Sequence, residues 1–375
     1  MLGPLRRKQQ RQQLMMRAEL TRRRHAMIAR FAILLGTIAF PFGAWAQVGD
    51  TLNARDLAFH RMANFETPSE LQGYKLNHLG IETRPSASGG HLVIASLEGY
   101  PAHTAGIERG DVLLTLDGEP FQPVTSLNPG AINEDFSEFI GSTDLEYRRG
   151  ENIHHAEVTP VYENLYDSYR TATLNSVLSF AAGNKVIGYL RLWALTRETG
   201  DLITLRQVIE SLSDTDGIVL DLRNSHGFLD AEHSDLFRAN RRDFLEIAAA
   251  DEDLNRLLRT RDRDDSLKAY RRPIAILIDS TTQGAAELLA HQLGKLERII
   301  TVGEPTLGKL GQWVHSEEGE VRSRHYLPAS SVLVDGKTFE ESGIIPEHPV
   351  TFPFEQTSRN DPQFQAAINL LMGVI

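Results

Sequence analysis

Residue types able to do chemistry are unevenly supplied along this chain. There are 13 histidines and no cysteine, which removes a thiolate nucleophile, a thiolate metal site, disulfides and a lipidated anchor together. His154 and His155 are adjacent on an expected strand. Their side chains then point to opposite faces and cannot easily hold one ion. No second cluster accompanies them, so no metal is expected. Hydroxyls gather elsewhere. Asp279-Ser280-Thr281-Thr282-Gln283-Gly284 closes the apolar run PIAILIDS (273–280) and precedes a helix expected from Gly284. At such a strand-to-helix junction, backbone N–H groups can stabilise a developing oxyanion. Glycine-rich turns mark a third region, SLEGYPAHTAGIERGDVLLTLDGEPF (96–121).

The surrounding elements must position these groups. From about Gly73 to Pro160 short strands alternate with Gly-rich turns, HLVIASL (91–97) and VLLTL before Asp117-Gly118 being the clearest. From about Tyr166 to Phe354 apolar runs alternate with helical stretches: IGYLRLWAL (187–195), a helix at 201–213, GIVLDLRN (217–224), PIAILIDS and IITVGEP (299–305). That alternation predicts an α/β core with a largely parallel sheet. The charged stretch 229–268 reads as a solvated surface helix with intrahelical ion pairs.

Charge divides the chain at Ala46. The first 46 residues hold nine bases and one acid, +8, leaving 30 bases and 49 acids, −19, in the remainder. So acidic a body repels phosphate backbones, and no nucleic acid is expected as a partner. The arginine-rich start, the short apolar run FAILLGTIAFPF (31–42) and Ala44-Trp45-Ala46 are the three parts of a secretory signal. The run is too short to span a bilayer and is broken by Pro41. Cleavage after Ala46 would release an exported protein, periplasmic or secreted, with no membrane attachment.

The 96–121 segment resembles a PDZ domain of the bacterial protease type through Pro101-Ala102, Ala105-Gly106-Ile107, Gly110-Asp111 and Asp117-Gly118. Such a domain holds a peptide's terminal carboxylate on loop N–H groups while the peptide adds a strand to the sheet edge. The resemblance implies that Asn77, His78, Leu79, Gly80 and Ile81 form that loop. Beyond it, GYLRLWAL (188–195), DLRNSHG (221–227), VGEPTLGK (302–309) and SGIIPEHPV (342–350) occur in the order of landmarks in the C-terminal processing (tail-specific) serine peptidases, which the chain resembles over 72–375. The implied organisation is a signal peptide (1–46), a helical lead-in (47–71), a PDZ domain (72–165), an α/β tail-specific peptidase-like domain (166–354) and a C-terminal helix (355–375).

Enzymes of that family pair a serine hydroxyl with a lysine that acts as general base when desolvated. The resemblance assigns Lys309 to that base and Gly227 to the oxyanion turn, with no cofactor. The family's serine lies three residues before a Glu and 25 before the Lys. Counting from Glu287 and from Lys309 gives the same position, and it is Gly284. Thr282 and Ser280 are the hydroxyls that could substitute, but two residues of shift at such a junction turn a side chain well away. The departures extend further. Trp313 stands where the family often places an orienting Gln, with Gln312 one residue short; Lys295 stands where another subgroup places Asp; and Phe228 replaces the second glycine of the oxyanion turn. His226 and His315 lie near the site by motif position without forming a known pattern. The expected function is therefore binding of polypeptide C-termini or unfolded tails by a degenerate or inactive serine peptidase, a pseudoprotease or adaptor, in company with an active homologue or as an oligomer. The competing expectation is an active C-terminal processing endopeptidase using Thr282 or Ser280 with Lys309.

Overall fold

The computed structural model describes residues 51–66, 75–130, 136–139, 141–196, 198–227, 231–237, 269–316, 323–329 and 333–375. The leader, Phe228 and most of the charged stretch 229–268 lie outside the described residues.

The strand Ile274–Ile278 sits within a six-stranded sheet and is buried along its whole length. Its alternation explains how. Ile274, Ile276 and Ile278 pack with Leu289, Ala290 and Leu293 of the helix Ala285–Leu293, whereas Ala275 and Leu277 pack with Ala367, Ile368 and Leu371 of the helix Pro362–Val374. A strand covered on both faces reads as a continuous apolar run, which is what the sequence contains. Each such Leu or Ile contributes about 1.5–3 kcal/mol by leaving water.

Strand order in this sheet is Leu178–Ala182, Lys185–Arg191, Gly217–Asp221, Ile274–Ile278, Ile299–Gly303, His348–Pro349. The first pairing is antiparallel and the other four are parallel, so the sheet is mixed. The C-terminal helix starts at Pro362, and a single 3₁₀ turn, Ser358–Asn360, precedes it. Proline disfavours helical geometry in the residue before it. Asp361 accordingly stays extended and caps the helix, accepting from Gln363 and Phe364 N–H, both at 2.9 Å.

The Gly-rich half forms a separate antiparallel sheet, ordered Ile81–Pro85, His91–Ser96, Val112–Leu116, Thr143–Arg149, Asn152–Val158. Its Gly-Asp turn has a clear physical cause. The fully buried Asp111 accepts from Glu108 N–H (2.9 Å) and takes Arg149 Nε (2.7 Å) and Nη2 (2.6 Å) as a fork. His154 stacks on Tyr147 while His155 bonds Asp144, so the adjacent histidines do diverge.

The lead-in is more than a polar helix. Thr51–Asn53 is a strand that pairs with Ser323–Leu327, and among the described lead-in residues Leu57–Glu66 is the helical part. Arg61 on that helix bonds Glu82 of the antiparallel sheet, which also accepts from Tyr169.

Candidate active site

The site is assembled from the segments that follow the parallel strands Gly217–Asp221, Ile274–Ile278 and Ile299–Gly303, at the carboxyl ends where open α/β sheets place their ligands. After Ile278 the chain turns through Asp279–Gln283 and enters the helix Ala285–Leu293, with Gly284 as its N-cap at φ 59°, ψ −118°. Residues bearing a side chain rarely adopt such a backbone, and at an active-site turn it stores strain that glycine relieves. The backbone direction is therefore that of a sharp strand-to-helix elbow, without a side chain at its tip.

Space is not the obstacle. A Cβ built on Gly284 would meet only the Lys309 carbonyl oxygen, at 3.6 Å. That proximity is enforced by Glu287, whose buried carboxylate accepts from Gly284 N–H (3.0 Å), Gly308 N–H (2.6 Å) and Lys309 N–H (2.9 Å). One side chain thus closes the first helical turn and ties it to the segment carrying Lys309. Burial raises the Glu287 carboxyl, and hydrogen bonds from Thr306 and the three amides oppose the rise.

Lys309 is half-buried, and its ammonium lies over the Tyr326 ring, 5.1 Å from the centroid. The Tyr326 hydroxyl donates to Glu340 (2.5 Å) and accepts from Gly311 N–H (2.7 Å). Trp313, at the family's Gln position, packs its ring against Tyr326 at 5.4 Å. Gln312 is exposed. Lys295 is engaged with Asp335 at 2.8 Å, an ion pair on the far side of the same helix start-to-end span.

The candidate substitute hydroxyls serve structure. Thr282 is fully buried; its Oγ1 donates to the Leu222 carbonyl (3.0 Å) and accepts from Asp279 N–H (3.1 Å). Thr281 donates to Asp279 and accepts from Asn224 N–H (2.8 Å). Together they clamp the 279–283 turn to the oxyanion turn 222–227. Ser280 is partly exposed and makes no hydrogen bond to the described residues. Gly227, at φ 122°, has a backbone that only glycine permits here, since a Cβ would stand 2.0 Å from the Leu195 carbonyl oxygen. His226 is buried and held well below the ordinary imidazole range by burial and by the Arg61 charge, so it is neutral. His315 lies on the strand Gln312–Ser316, and its side chain is outside the described residues.

The expected carboxylate-binding loop lies elsewhere and is packed inward. His78, Leu79 and Ile81 are 2%, 1% and 4% exposed. Gly80 N–H donates to His78 Nδ1 (3.1 Å), and Tyr100 stacks on the His78 ring. With Nδ1 accepting, Nε2 carries the proton and faces Ser168 Oγ at 3.1 Å; burial depresses the His78 value to about 3. These four residues are spent on the module's own packing in this conformation. Sequence reasoning missed the structural role of Glu287 and the Tyr326 platform beneath Lys309, the latter because no local pattern links positions 309 and 326.

An α/β sheet with a strand-to-helix elbow, a clamped lysine segment and a glycine-dependent facing turn defines a serine-peptidase architecture. Residues 186–350 match the model of Peptidase family S41. It is 25% identical over 361 residues, covering 88% of this chain and 79% of its relative, to the carboxyl-terminal-processing protease of Picosynechococcus sp.. It is 24% identical over 359 residues, covering 88% of this chain and 77% of its relative, to the same enzyme of Synechocystis sp.. Among solved structures it aligns with a putative S41 protease from Bacteroides fragilis at 16% identity, covering 82% of this chain and 88% of that one, with a TM-score of 0.49.

Proposed function

We propose that this chain is an exported protein of the tail-specific peptidase fold that binds polypeptide C-termini and has lost hydrolysis at the family's nucleophile position, acting as a pseudoprotease or adaptor. The observation that carries the reading is Gly284. It stands at the tip of the elbow, beside the Lys309 segment, where covalent catalysis needs an oxygen nucleophile within about 3 Å of its base. The inward use of Thr281 and Thr282 supports the same reading.

The antiparallel module is read as a PDZ domain. Ile81–Pro85 is an edge strand of its sheet, and its residues 84 and 85 are exposed, so strand addition by an extended tail is the favoured mode. Export rests on the basic leader, its short apolar run and the Ala-x-Ala sequence. No described helix is long and apolar enough to cross a membrane.

Ser280, partly exposed and without a hydrogen bond to the described residues, favours one competing reading, an active endopeptidase using a displaced hydroxyl. The deciding experiment combines cleavage of an unstructured polypeptide tail with fluorophosphonate labelling of the chain from Gln47. Neither cleavage nor labelling is expected. Labelling abolished by Lys309→Ala and by Ser280→Ala would establish the competing enzyme instead. Gly284→Ser, measured alongside, separates a loss confined to one residue from one that extends to Trp313 and the oxyanion turn.

A further inference from the structure

Among the described residues three arginines are buried, Arg61, Arg109 and Arg223. Arg61 meets Glu82, and Arg223 meets Asp221 and Asp361. Arg109 is 7% exposed and pairs with no carboxylate among the described residues. Burial strips this guanidinium of its hydration, and the carboxylates of Asp279 and Asp361 act on it only from beyond ion-pair distance.

Its surroundings hold it by the face and leave the edge free. The Arg109 guanidinium lies 4.0 Å from the Phe352 ring centroid and 4.4 Å from that of Phe354. Arg84 also lies over Phe354, at 4.2 Å, and Arg223 lies 5.9 Å from Phe352. Stacking of this kind uses the flat surface of the guanidinium, whereas its N–H donors point outward in the plane. Of those donors, Nη2 reaches the Phe352 carbonyl (2.5 Å) and the buried Nε has no partner.

Arg109 lines a cavity of about 420 Å³ between the antiparallel module and the α/β core. Arg191 lines it from the core side, stacked on Trp193 at 3.8 Å, and its buried Nε is also without a hydrogen bond. Glu98, the nearest acid to Arg191 at 3.8 Å, is raised by burial, which weakens it as a counter-charge. Burial and the Arg223 charge lower Arg109 to about 10 against the opposing charges of Asp279 and Asp361. Asp361 and Glu108 also line the cavity, where they are engaged by Arg223 and by Arg149 and Arg359. Ile94, Leu178 and Phe364 give the same cavity an apolar wall.

We propose that this cavity binds a carboxylate attached to an apolar body, with Arg109 as the principal donor and Arg191 as the second. A planar, bidentate anion matches a guanidinium edge held in place by stacking, and the cavity is of small-ligand size. The carboxylate has two possible sources, a free organic acid or the terminus of a polypeptide. Neither Gly284 nor Lys309 nor any residue of Ile81–Pro85 lines this cavity, although Arg223 of the oxyanion turn does.

The test uses the chain from Gln47, with phenylacetate as probe and phenylacetamide as its neutral counterpart, read by calorimetry and thermal shift. Phenylacetate is expected to bind and raise Tm, and the amide to bind at least about tenfold more weakly. Arg109→Met should remove phenylacetate binding, Arg109→Lys should weaken it by keeping charge without the fork, and Arg272→Ala, away from the cavity, should leave it intact. Leu178→Trp is the second handle. Leu178 is 48% exposed on an edge strand, so a larger ring there should block the cavity without disturbing the fold. Equal binding of acid and amide, no binding at millimolar acid, or binding indifferent to both Arg109→Met and Leu178→Trp would overturn the proposal. A peptide ending in Phe with a free terminus that displaces phenylacetate identifies a polypeptide source. Failure of that peptide to compete, with phenylacetate still bound, identifies a free acid.

Discussion

At residue 284 the backbone and the side chain give opposite signals. The backbone keeps a conformation that L-residues rarely adopt, and the residue placed there is the one that needs no compensation for it. Gly284→Ser should therefore destabilise the protein by about 1–3 kcal/mol, the usual range for such strain, measurable by urea unfolding. A neutral or stabilising result would mean that the elbow relaxes when a side chain is present. Glu287 makes a second prediction at this scale. Its folded-state value is raised, so the native state binds more protons than the unfolded state between the two values. Stability attributable to this group then falls as pH rises from the ordinary carboxylate range through the folded value. Glu287→Gln should flatten that part of the pH–stability curve, whereas Glu287→Ala should cost about 3 kcal/mol or more by stranding three amide donors. A Gln variant with an unchanged pH slope would show that the carboxyl titrates normally.

The turns between elements owe their shape to polar side chains buried beneath them. Asp221 ends the strand Gly217–Asp221; burial alone would raise its carboxyl, but the charges of Arg223 and Arg191 outweigh burial and hold it at about 2. Arg223 donates to Asp221 through Nε (2.9 Å) and Nη2 (2.6 Å), and its Nη1 reaches Asp361 (2.7 Å) at the cap of the closing helix. A depressed carboxylate contributes stability above its unfolded value of 3.8 and loses it as pH falls towards 2. Acid unfolding should therefore steepen in that window, and Asp221→Asn should remove the step. Arg223→Met should cost about 3–5 kcal/mol at neutral pH, because it leaves two buried carboxylates without their cation. These elements differ in how readable they were. The strands 217–221 and 274–278 and the motif glycines at 227 and 284 carry local signatures, since burial on both faces, a forbidden Cβ at 227 and a positive φ at 284 each dictate residue type in place. The ties among Asp221, Arg223 and Asp361, or between Thr51 and His325 across 274 residues, leave no such trace. A charged residue in sequence reads as solvated until its partner is brought to it.

At the scale of the molecule, the same blindness concealed how closely the two halves are joined. Composition suggested two modules in series, and each does have its own apolar cluster. A third cluster belongs to both. Leu76, Leu97 and Tyr100 from the antiparallel half pack with Leu165, Tyr169 and the fully buried Trp193 from the α/β half. Trp193 also meets Tyr169 of its own half edge-on at 5.8 Å and donates its indole N–H across the junction to Glu98. Two independently folded domains on a linker would melt separately, whereas halves that share a core lose it together. Differential scanning calorimetry of the chain from Gln47 should accordingly show a single transition with matching calorimetric and van't Hoff enthalpies. Trp193→Ala should lower stability by about 3–5 kcal/mol through loss of a fully buried ring. It should also split the transition in two, because Trp193 is the largest fully buried side chain of the shared cluster. Two transitions already present in the unaltered protein would mean that the shared cluster does not couple the halves. The carboxylate cavity would then open and close with their relative motion, and phenylacetate should raise the lower transition more than the upper.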